Sequence, residues 1–92
     1  MIKGFRHKGL ERFFLSGNKK GIRPEQAQRL KDILFRLQYA IRIEDMDFPG
    51  SRLHRLKGDK AGVWSVTVSG NWRVLFRFEG GHAHEVDYDD YH

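Results

Sequence analysis

The chain has 92 residues, with 17 Lys and Arg against 12 Asp and Glu, five His and no Cys. This length predicts a single domain over residues 1–92 with one modest hydrophobic core. The lack of Cys excludes a disulfide framework and a Cys-based zinc site. No apolar run follows the basic residues near the N-terminus, and none is long enough to span a membrane. We therefore expect a cytoplasmic protein that does not associate with a membrane.

The charge is unevenly distributed along the chain. Residues 1–60 carry 15 Lys and Arg against seven Asp and Glu, a net charge of +8, whereas residues 61–92 carry two against five, a net charge of −3. A basic body is typical of a protein that binds a polyanion such as nucleic acid. A solvated basic surface explains the same charge, so both interpretations stay open at this point.

The first segments predict a short strand and a helix. Ile2 and Phe5 alternate with polar residues, which indicates an edge strand over residues 1–6. Apolar residues then recur at positions i, i+3 and i+4, which predicts a helix over residues 7–16; they are Leu10, Phe13 and Phe14. Gly17 is a suitable residue to end this helix, and a loop with a second glycine follows.

A second helix is predicted from Pro24, a residue that suits the first turn of a helix. The apolar residues that follow repeat at helical spacing and form one stripe, made up of Ala27, Leu30, Ile33, Leu34, Leu37 and Ile41. The helix should end before the sequence Phe48-Pro49-Gly50, which is a stop signal.

From residue 52 the apolar period changes from 3.6 to 2, which indicates strands. Four strands are predicted, over residues 53–57, 63–68, 72–78 and 82–88. Two N-terminal helices followed by such a meander predict an α+β fold, with the helices packed on one face of a mainly antiparallel sheet. The opposite face would then present Arg73 and Arg77.

Two side chains of the predicted sheet suit phosphate chemistry. His54, with Lys57 three residues later, is either a surface histidine on a polar face or a group that transfers protons. Arg73 lies in the middle of a strand, where it either pairs with Glu85 or Asp87 on the neighbouring strand or holds a phosphate through two parallel hydrogen bonds. The sequence pattern permits either alternative for each residue.

The acidic C-terminal residues have two possible roles. Terminal residues often fray, and a frayed tail would carry no chemistry. A tail held against the sheet would instead bring Asp90, Tyr91 and His92 to one place. The chain-terminal carboxylate beside His92 would favour its protonated form, and an imidazolium is a good general acid near neutral pH.

The His82-Ala83-His84 sequence raises the question of a metal site. Residues i and i+2 of a strand share a face, so this pair could chelate a metal ion together with an acidic side chain of the tail. Val86 and Tyr88 share that predicted face, which favours a surface or half-buried histidine pair instead. We therefore expect no metal ion and no other cofactor.

These candidates together match the needs of a metal-independent ribonuclease. RNA carries its own nucleophile, the 2′-OH, so cleavage needs a base, an acid and cations that stabilise the charged phosphate. Histidines, Lys57 and Arg73 supply that set, while Asp90 would orient an imidazole and Tyr91 would add a hydrogen bond or a stacking face. The full candidate set is His54, Lys57, Arg73, Asp90, Tyr91 and His92.

Several stretches of the chain resemble the HigB toxins of the RelE/ParE superfamily of toxin–antitoxin systems. The resemblance is strongest in Arg52–Asp59 (RLHRLKGD), Gly62–Val66 (GVWSV), Asn71–Arg73 (NWR) and Asp87–His92 (DYDDYH), and it extends to Met1–Leu10. The combination of L-x-x-L-K-G, N-W-R and a terminal D-Y-H is specific, and the similarity is weakest in residues 17–50.

The resemblance implies a RelE-like fold and an endonuclease that cuts mRNA in the ribosomal A site. The family's active-site positions correspond to His54, Lys57 and Arg73 and to the terminal Asp90, Tyr91 and His92. The expected partners are mRNA, the 70S ribosome and a HigA-type helix-turn-helix antitoxin, through which alone the toxin would reach operator DNA. The candidates for contacts to ribosomal RNA are Lys19, Lys20, Arg23 and Arg29.

Two other functions are compatible with this family and composition. One is a ParE-like toxin that inhibits gyrase, and the other is a non-catalytic nucleic-acid-binding module. Titratable residues at His54 and His92 favour the ribonuclease, since a pure inhibitor needs no such pair.

Overall fold

The computed structural model describes residues 1–91 and contains two α-helices and a four-stranded sheet. The helices are α1 (Lys8–Ser16) and α2 (Ala27–Tyr39), and the strands are β1 (His54–Arg55), β2 (Trp64–Ser69), β3 (Trp72–Glu79) and β4 (His82–Asp90). The sheet is antiparallel with the order β1-β2-β3-β4. The predicted α+β class is therefore confirmed.

The hydrophobic core lies between the two helices and one face of the sheet, here called the inner face. Helical and strand residues that are at most 1% exposed meet there; they are Leu10, Leu30, Ile33, Leu34, Leu37, Val66, Val74, Phe76 and Val86. The opposite side of the sheet is called the outer face. Among the helices of residues 1–91, none has the length and apolar character needed to cross a membrane.

The second helix is shorter than the apolar stripe predicted. It is preceded by a 3-10 turn over Pro24–Gln26 and ends at Tyr39, and Ile41 is 77% exposed rather than in the core. The backbone N–H of Ile41 donates to the carboxylate of Asp45 at 2.9 Å. This contact starts a separate 3-10 turn, Ile43–Met46, and such backbone donors lower the pKa of Asp45.

The N-terminal segment pairs with the last strand, as an edge segment parallel to it. Isolated bridges join Ile2 to Ala83 and Phe5 to Val86. The N–H of Lys3 donates to the carbonyl of Ala83 at 2.7 Å. The edge strand predicted over residues 1–6 is therefore reduced to these two bridges.

A β-bulge in β4 overturns the predicted faces of that strand. The register with β3 shifts between Leu75 and Arg77, and Glu85 has a left-handed φ of 52°. Such an extra residue reverses the alternation of side chains beyond it. His84 consequently lies on the outer face, whereas Val86 is fully buried in the core, so the prediction that they share a face was wrong.

Candidate active site

The outer face brings together residues that are distant in sequence. Cross-strand pairing forms one row of His54, Ser65, Leu75 and Asp87, and a neighbouring row of Thr67, Arg73 and Asp89. β1 and β3 are separated by two strand spacings, or about 10 Å across the sheet. His54 and Arg73 thus lie on one face, in rows that are two residues apart along β2.

His54 lies on an edge strand that is shorter than predicted. β1 covers His54–Arg55 rather than residues 53–57, because the left-handed backbone of Arg52 interrupts extended structure before it. Arg55 pairs with Trp64 and its guanidinium lies over that ring at 5.6 Å, on the inner side. The His54 ring is exposed on the outer side, with Nδ1 at 3.1 Å from the carbonyl of Arg52.

Lys57 is an exposed residue at the end of the L-x-x-L-K-G motif. It immediately precedes a 3-10 turn over Gly58–Lys60, and the N–H of Leu56 donates to the carbonyl of Val63 at 2.8 Å. This loop borders a cavity of about 230 Å³ on the outer face, whose lining includes Lys60, Leu75, Arg77 and Asp87.

Arg73 is half-buried on the outer face, near the start of β3 rather than in the middle of the strand as predicted. Its Nη1 donates to the carbonyls of Gly70 at 2.7 Å and Trp72 at 3.2 Å. Glu85, one of the two predicted ion-pair partners of Arg73, pairs with Arg77 instead. Its Oε2 lies 3.3 Å from Nε of Arg77. Within residues 1–91 both hydrogen bonds of Arg73 use one nitrogen, and a guanidinium has further N–H donors to offer an anion.

The C-terminal strand stays on the sheet as far as the structure describes it. β4 ends at Asp90, and the N–H of Tyr91 donates to the carbonyl of Asn71 at 2.9 Å. The register pairs Asp90 with Trp72, an inner-face residue packed against the core, and pairs Asp89 with Arg73. Asp89 is therefore the acidic neighbour of Arg73 on the outer face, which the sequence analysis missed, and His92 lies outside the described residues.

Three of the basic residues proposed for ribosomal RNA are exposed. Lys19 and Lys20 lie in the loop after α1, in which Asn18 accepts a hydrogen bond from the N–H of Lys20. Arg23 pairs with Glu25 at 2.8 Å, and its guanidinium lies over the ring of Trp72 at 5.6 Å. All three can reach a partner from solvent.

Arg29 is half-buried, and its guanidinium is bonded to the backbone. Its Nη2 donates to the carbonyls of Gly50 at 3.2 Å and Thr67 at 3.3 Å, and its guanidinium lies over the ring of Phe48 at 5.4 Å. These contacts join α2 to the loop before β1 and to β2. Arg29, a candidate for contacts to ribosomal RNA, thus has a structural role as well.

Two hydroxyl groups of the outer face were not among the predicted site residues. Ser65 Oγ and Thr67 Oγ1 are buried and have no hydrogen-bond partner within residues 1–91. Ser65 is the cross-strand neighbour of His54, and Thr67 is that of Arg73. Unpaired buried polar atoms are uncommon. The polar side of the alternating β2 sequence was the signal that could have identified these two residues.

The histidine pair of β4 does not gather further metal ligands. Residues 1–91 contain no group of three or more His, Asp or Glu side chains placed to hold a metal ion. Burial lowers the pKa of His82, and the positive charges of Lys3 and the N-terminus lower it further. Its Nδ1 is buried without a hydrogen-bond partner among the described residues.

Comparison of the chain with known proteins identifies its family. Residues 3–92 match the family model described as the RelE-like toxin of the type II toxin–antitoxin system HigB. The chain belongs to the HigB family. It is also 41% identical to the protein named Endoribonuclease HigB of Proteus vulgaris, over 92 residues and the full length of both chains.

This match confirms the resemblance seen in the sequence. As a HigB-family toxin of a type II toxin–antitoxin system, the protein has an antitoxin as its partner. The family-like L-x-x-L-K-G motif begins just before β1, and the N-W-R motif begins just before β3. The first motif places the imidazole of His54 on the outer face, and the second places the guanidinium of Arg73 there.

Proposed function

We propose that this protein is an endoribonuclease that cuts mRNA in the A site of the translating ribosome and so inhibits translation. The observation that supports it most directly is the placement of His54 and Arg73 on one exposed sheet face. The full-length relative named Endoribonuclease HigB supports the same activity.

The proposed reaction is attack of the ribose 2′-OH on the adjacent phosphorus. A base takes the 2′-OH proton, the P–O5′ bond breaks, and an acid protonates the leaving O5′. Arg73 and Lys57 stabilise the negative charge that develops on the phosphate. In this proposal Asp90, Tyr91 and His92 supply the acid. The step needs no metal ion and no cofactor.

The proposed partners follow from the same site and family. Lys19, Lys20 and Arg23 contact ribosomal RNA, whose phosphates attract a basic protein. The antitoxin is of the HigA type, a helix-turn-helix protein, and operator DNA is reached through it. These encounters take place in the cytoplasm.

Product analysis in a purified translation system tests this function. We expect cleavage of a message on translating ribosomes, little cleavage of the same RNA alone, and products with 2′,3′-cyclic phosphate and 5′-hydroxyl ends. Products with 5′-phosphate ends would contradict 2′-OH attack. A DNA-damage response without cut mRNA would favour a gyrase-inhibiting toxin instead.

The His82→Ala/His84→Ala double variant separates the proposed mechanism from a metal-dependent one. Neither histidine belongs to the proposed set, so we expect the message to be cut at the wild-type rate. Loss of cleavage in a variant that folds would indicate that the pair takes part in the reaction.

A further inference from the structure

The segment that leads into β1 has an unusual backbone conformation. Arg52 has a φ of 47°, and among residues 1–91 Arg52 and Glu85 are the two residues other than Gly with a positive φ. Side chains with a Cβ disfavour this left-handed region, so the surrounding structure must hold it in place. Glu85 is accounted for by the bulge of β4, but no bulge accounts for Arg52.

Contacts on the N-terminal side of Arg52 fix the chain firmly. Ser51 is fully buried, its Oγ accepts from the N–H of Phe48 at 3.2 Å, and its carbonyl accepts from the N–H of Thr67 at 2.8 Å. Arg29 donates to the carbonyl of Gly50 at 3.2 Å. The backbone up to Ser51 is therefore joined both to α2 and to β2.

The chain is fixed again on the C-terminal side of Arg52. His54 pairs with Ser65 across the sheet, and the N–H of Leu56 donates to the carbonyl of Val63 at 2.8 Å. Between these two anchored points lies Arg52, whose carbonyl contacts the ring of His54. That carbonyl oxygen lies 3.1 Å from Nδ1 of His54.

This contact favours one of the two neutral tautomers of His54. A carbonyl oxygen can only accept a hydrogen bond, so Nδ1 must be the donor. In the neutral ring Nε2 then has a free lone pair, and the ring is exposed on the outer face. An imidazole in this state is prepared to accept a proton.

We propose that Arg52 is a positioning residue whose left-handed backbone holds His54 in the Nδ1–H tautomer, with Nε2 as the base of the cleavage reaction. Nε2 takes the proton of the 2′-OH as that oxygen bonds to phosphorus, and the P–O5′ bond breaks. The leaving O5′ takes its proton from the acid of the site. The Arg52 carbonyl keeps its hydrogen bond throughout, since Nδ1 remains a donor in the imidazolium. The catalytic part of this inference rests on the proposed function.

Nitrogen-15 NMR of the imidazole rings in the folded toxin tests the tautomer without any substrate. At a pH where His54 is neutral, we expect Nδ1 to be the protonated nitrogen, the reverse of the tautomer that free histidine prefers. Replacement of His54 by Ala assigns its signals. A wild-type spectrum with the proton on Nε2 overturns the proposal, whatever the activity.

Two substitutions at position 52 separate the backbone effect from the loss of charge. Arg52→Gly and Arg52→Val both remove the guanidinium, but Gly accepts a positive φ and the β-branched Val does not. We expect Arg52→Gly to keep the Nδ1–H signal, and Arg52→Val to shift towards Nε2–H and to cut mRNA at least tenfold more slowly than Arg52→Gly. Equal tautomers and equal rates in the two variants overturn the proposal.

The wild-type spectrum decides the tautomer even where Arg52→Val fails to fold. The rate of His54→Ala tests the proposed function separately from the tautomer. If His54→Ala cuts mRNA at the wild-type rate, the role of Nε2 as base is overturned even when the Nδ1–H signal is present.

Discussion

Ser65 shows how a single side chain on the outer face departs from ordinary packing. Ser65 is fully buried, and its Oγ has no hydrogen-bond partner within residues 1–91. A hydroxyl buried in this way loses its hydrogen bonds to water without replacement, which costs about 1–3 kcal/mol. Buried hydroxyl groups without a hydrogen-bond partner are uncommon in folded proteins.

We therefore expect Ser65→Ala to leave the free energy of unfolding unchanged or to raise it by about 1 kcal/mol. Ser69→Ala is the matched control, because Ser69 Oγ accepts from Gln26 Nε2 at 2.8 Å and its loss should cost about 1 kcal/mol. Urea unfolding of both variants gives the comparison. A loss of stability in Ser65→Ala equal to that in Ser69→Ala would mean that the Ser65 hydroxyl has a partner.

His82 gives a prediction about pH. Its folded-state pKa is lowered below the ordinary 6.5, first by burial and then by Lys3 and the N-terminus. The unfolded chain therefore binds the proton more readily, and stability present above pH 6.5 is lost as the pH falls below it. We expect His82→Asn to weaken this pH dependence in urea unfolding measured between pH 7.5 and 5, a range chosen to span that ordinary pKa. An unchanged slope would contradict the assignment to His82.

At the scale of elements, α1 meets the loop before α2 backbone to backbone. A Cβ on Gly9 would lie 2.6 Å from the carbonyl oxygen of Gly21 and 2.7 Å from its Cα. Both contacts are with backbone, which cannot swing aside as the end of a flexible side chain can. The absence of a side chain at Gly9 therefore sets how closely the helix approaches this loop.

We expect Gly9→Ala to destabilise the fold. Overpacking costs about 1–3 kcal/mol, whereas the better helix propensity of Ala returns at most about 1 kcal/mol. Gly4→Ala is the control, since a Cβ at Gly4 has no neighbour within 4 Å. Thermal unfolding should show a lower Tm for Gly9→Ala than for Gly4→Ala, and the reverse order would contradict this packing.

The sequence predicted most elements because their periodicity comes from local burial. The strands β2 and β3 and helix α1 lie within two residues of the predicted bounds. The bulge at Glu85 and the left-handed Arg52 could not be predicted, because contacts distant in sequence impose both conformations. The hydrogen bonds from Arg29 to Gly50 and Thr67 could not be predicted for the same reason, since both partners are distant from Arg29 in sequence.

Part of the candidate site was predictable, because strand alternation also comes from local burial. Strand alternation placed Arg73 on the face opposite the helices, and the structure confirms that face. Asp89 was not identified as its cross-strand neighbour, because the register of β4 depends on the bulge. The shared face of His54 and Arg73 depends on the pairing of three strands, which no single stretch of sequence encodes.

For the whole molecule, the uneven charge predicts strongly salt-dependent association with the ribosome. Each phosphate contact that a cation makes adds about one to the slope of log affinity against log salt. We expect Lys19→Gln/Lys20→Gln to reduce that slope by about one to two. The charge-matched control is Lys8→Gln/Lys31→Gln, two exposed lysines outside the proposed RNA contacts. Equal reductions in the two double variants would indicate a general charge effect instead.

The central claim is that His54, on the outer face of the sheet, takes part directly in mRNA cleavage. It is tested most directly by the single-turnover rate of mRNA cleavage on translating ribosomes by His54→Ala, with His84→Ala as an outer-face control. The account predicts a loss of about 10²–10⁴-fold for His54→Ala, the range typical of a lost general base, and an unchanged rate for His84→Ala. A wild-type rate in a folded, ribosome-bound His54→Ala variant would contradict it.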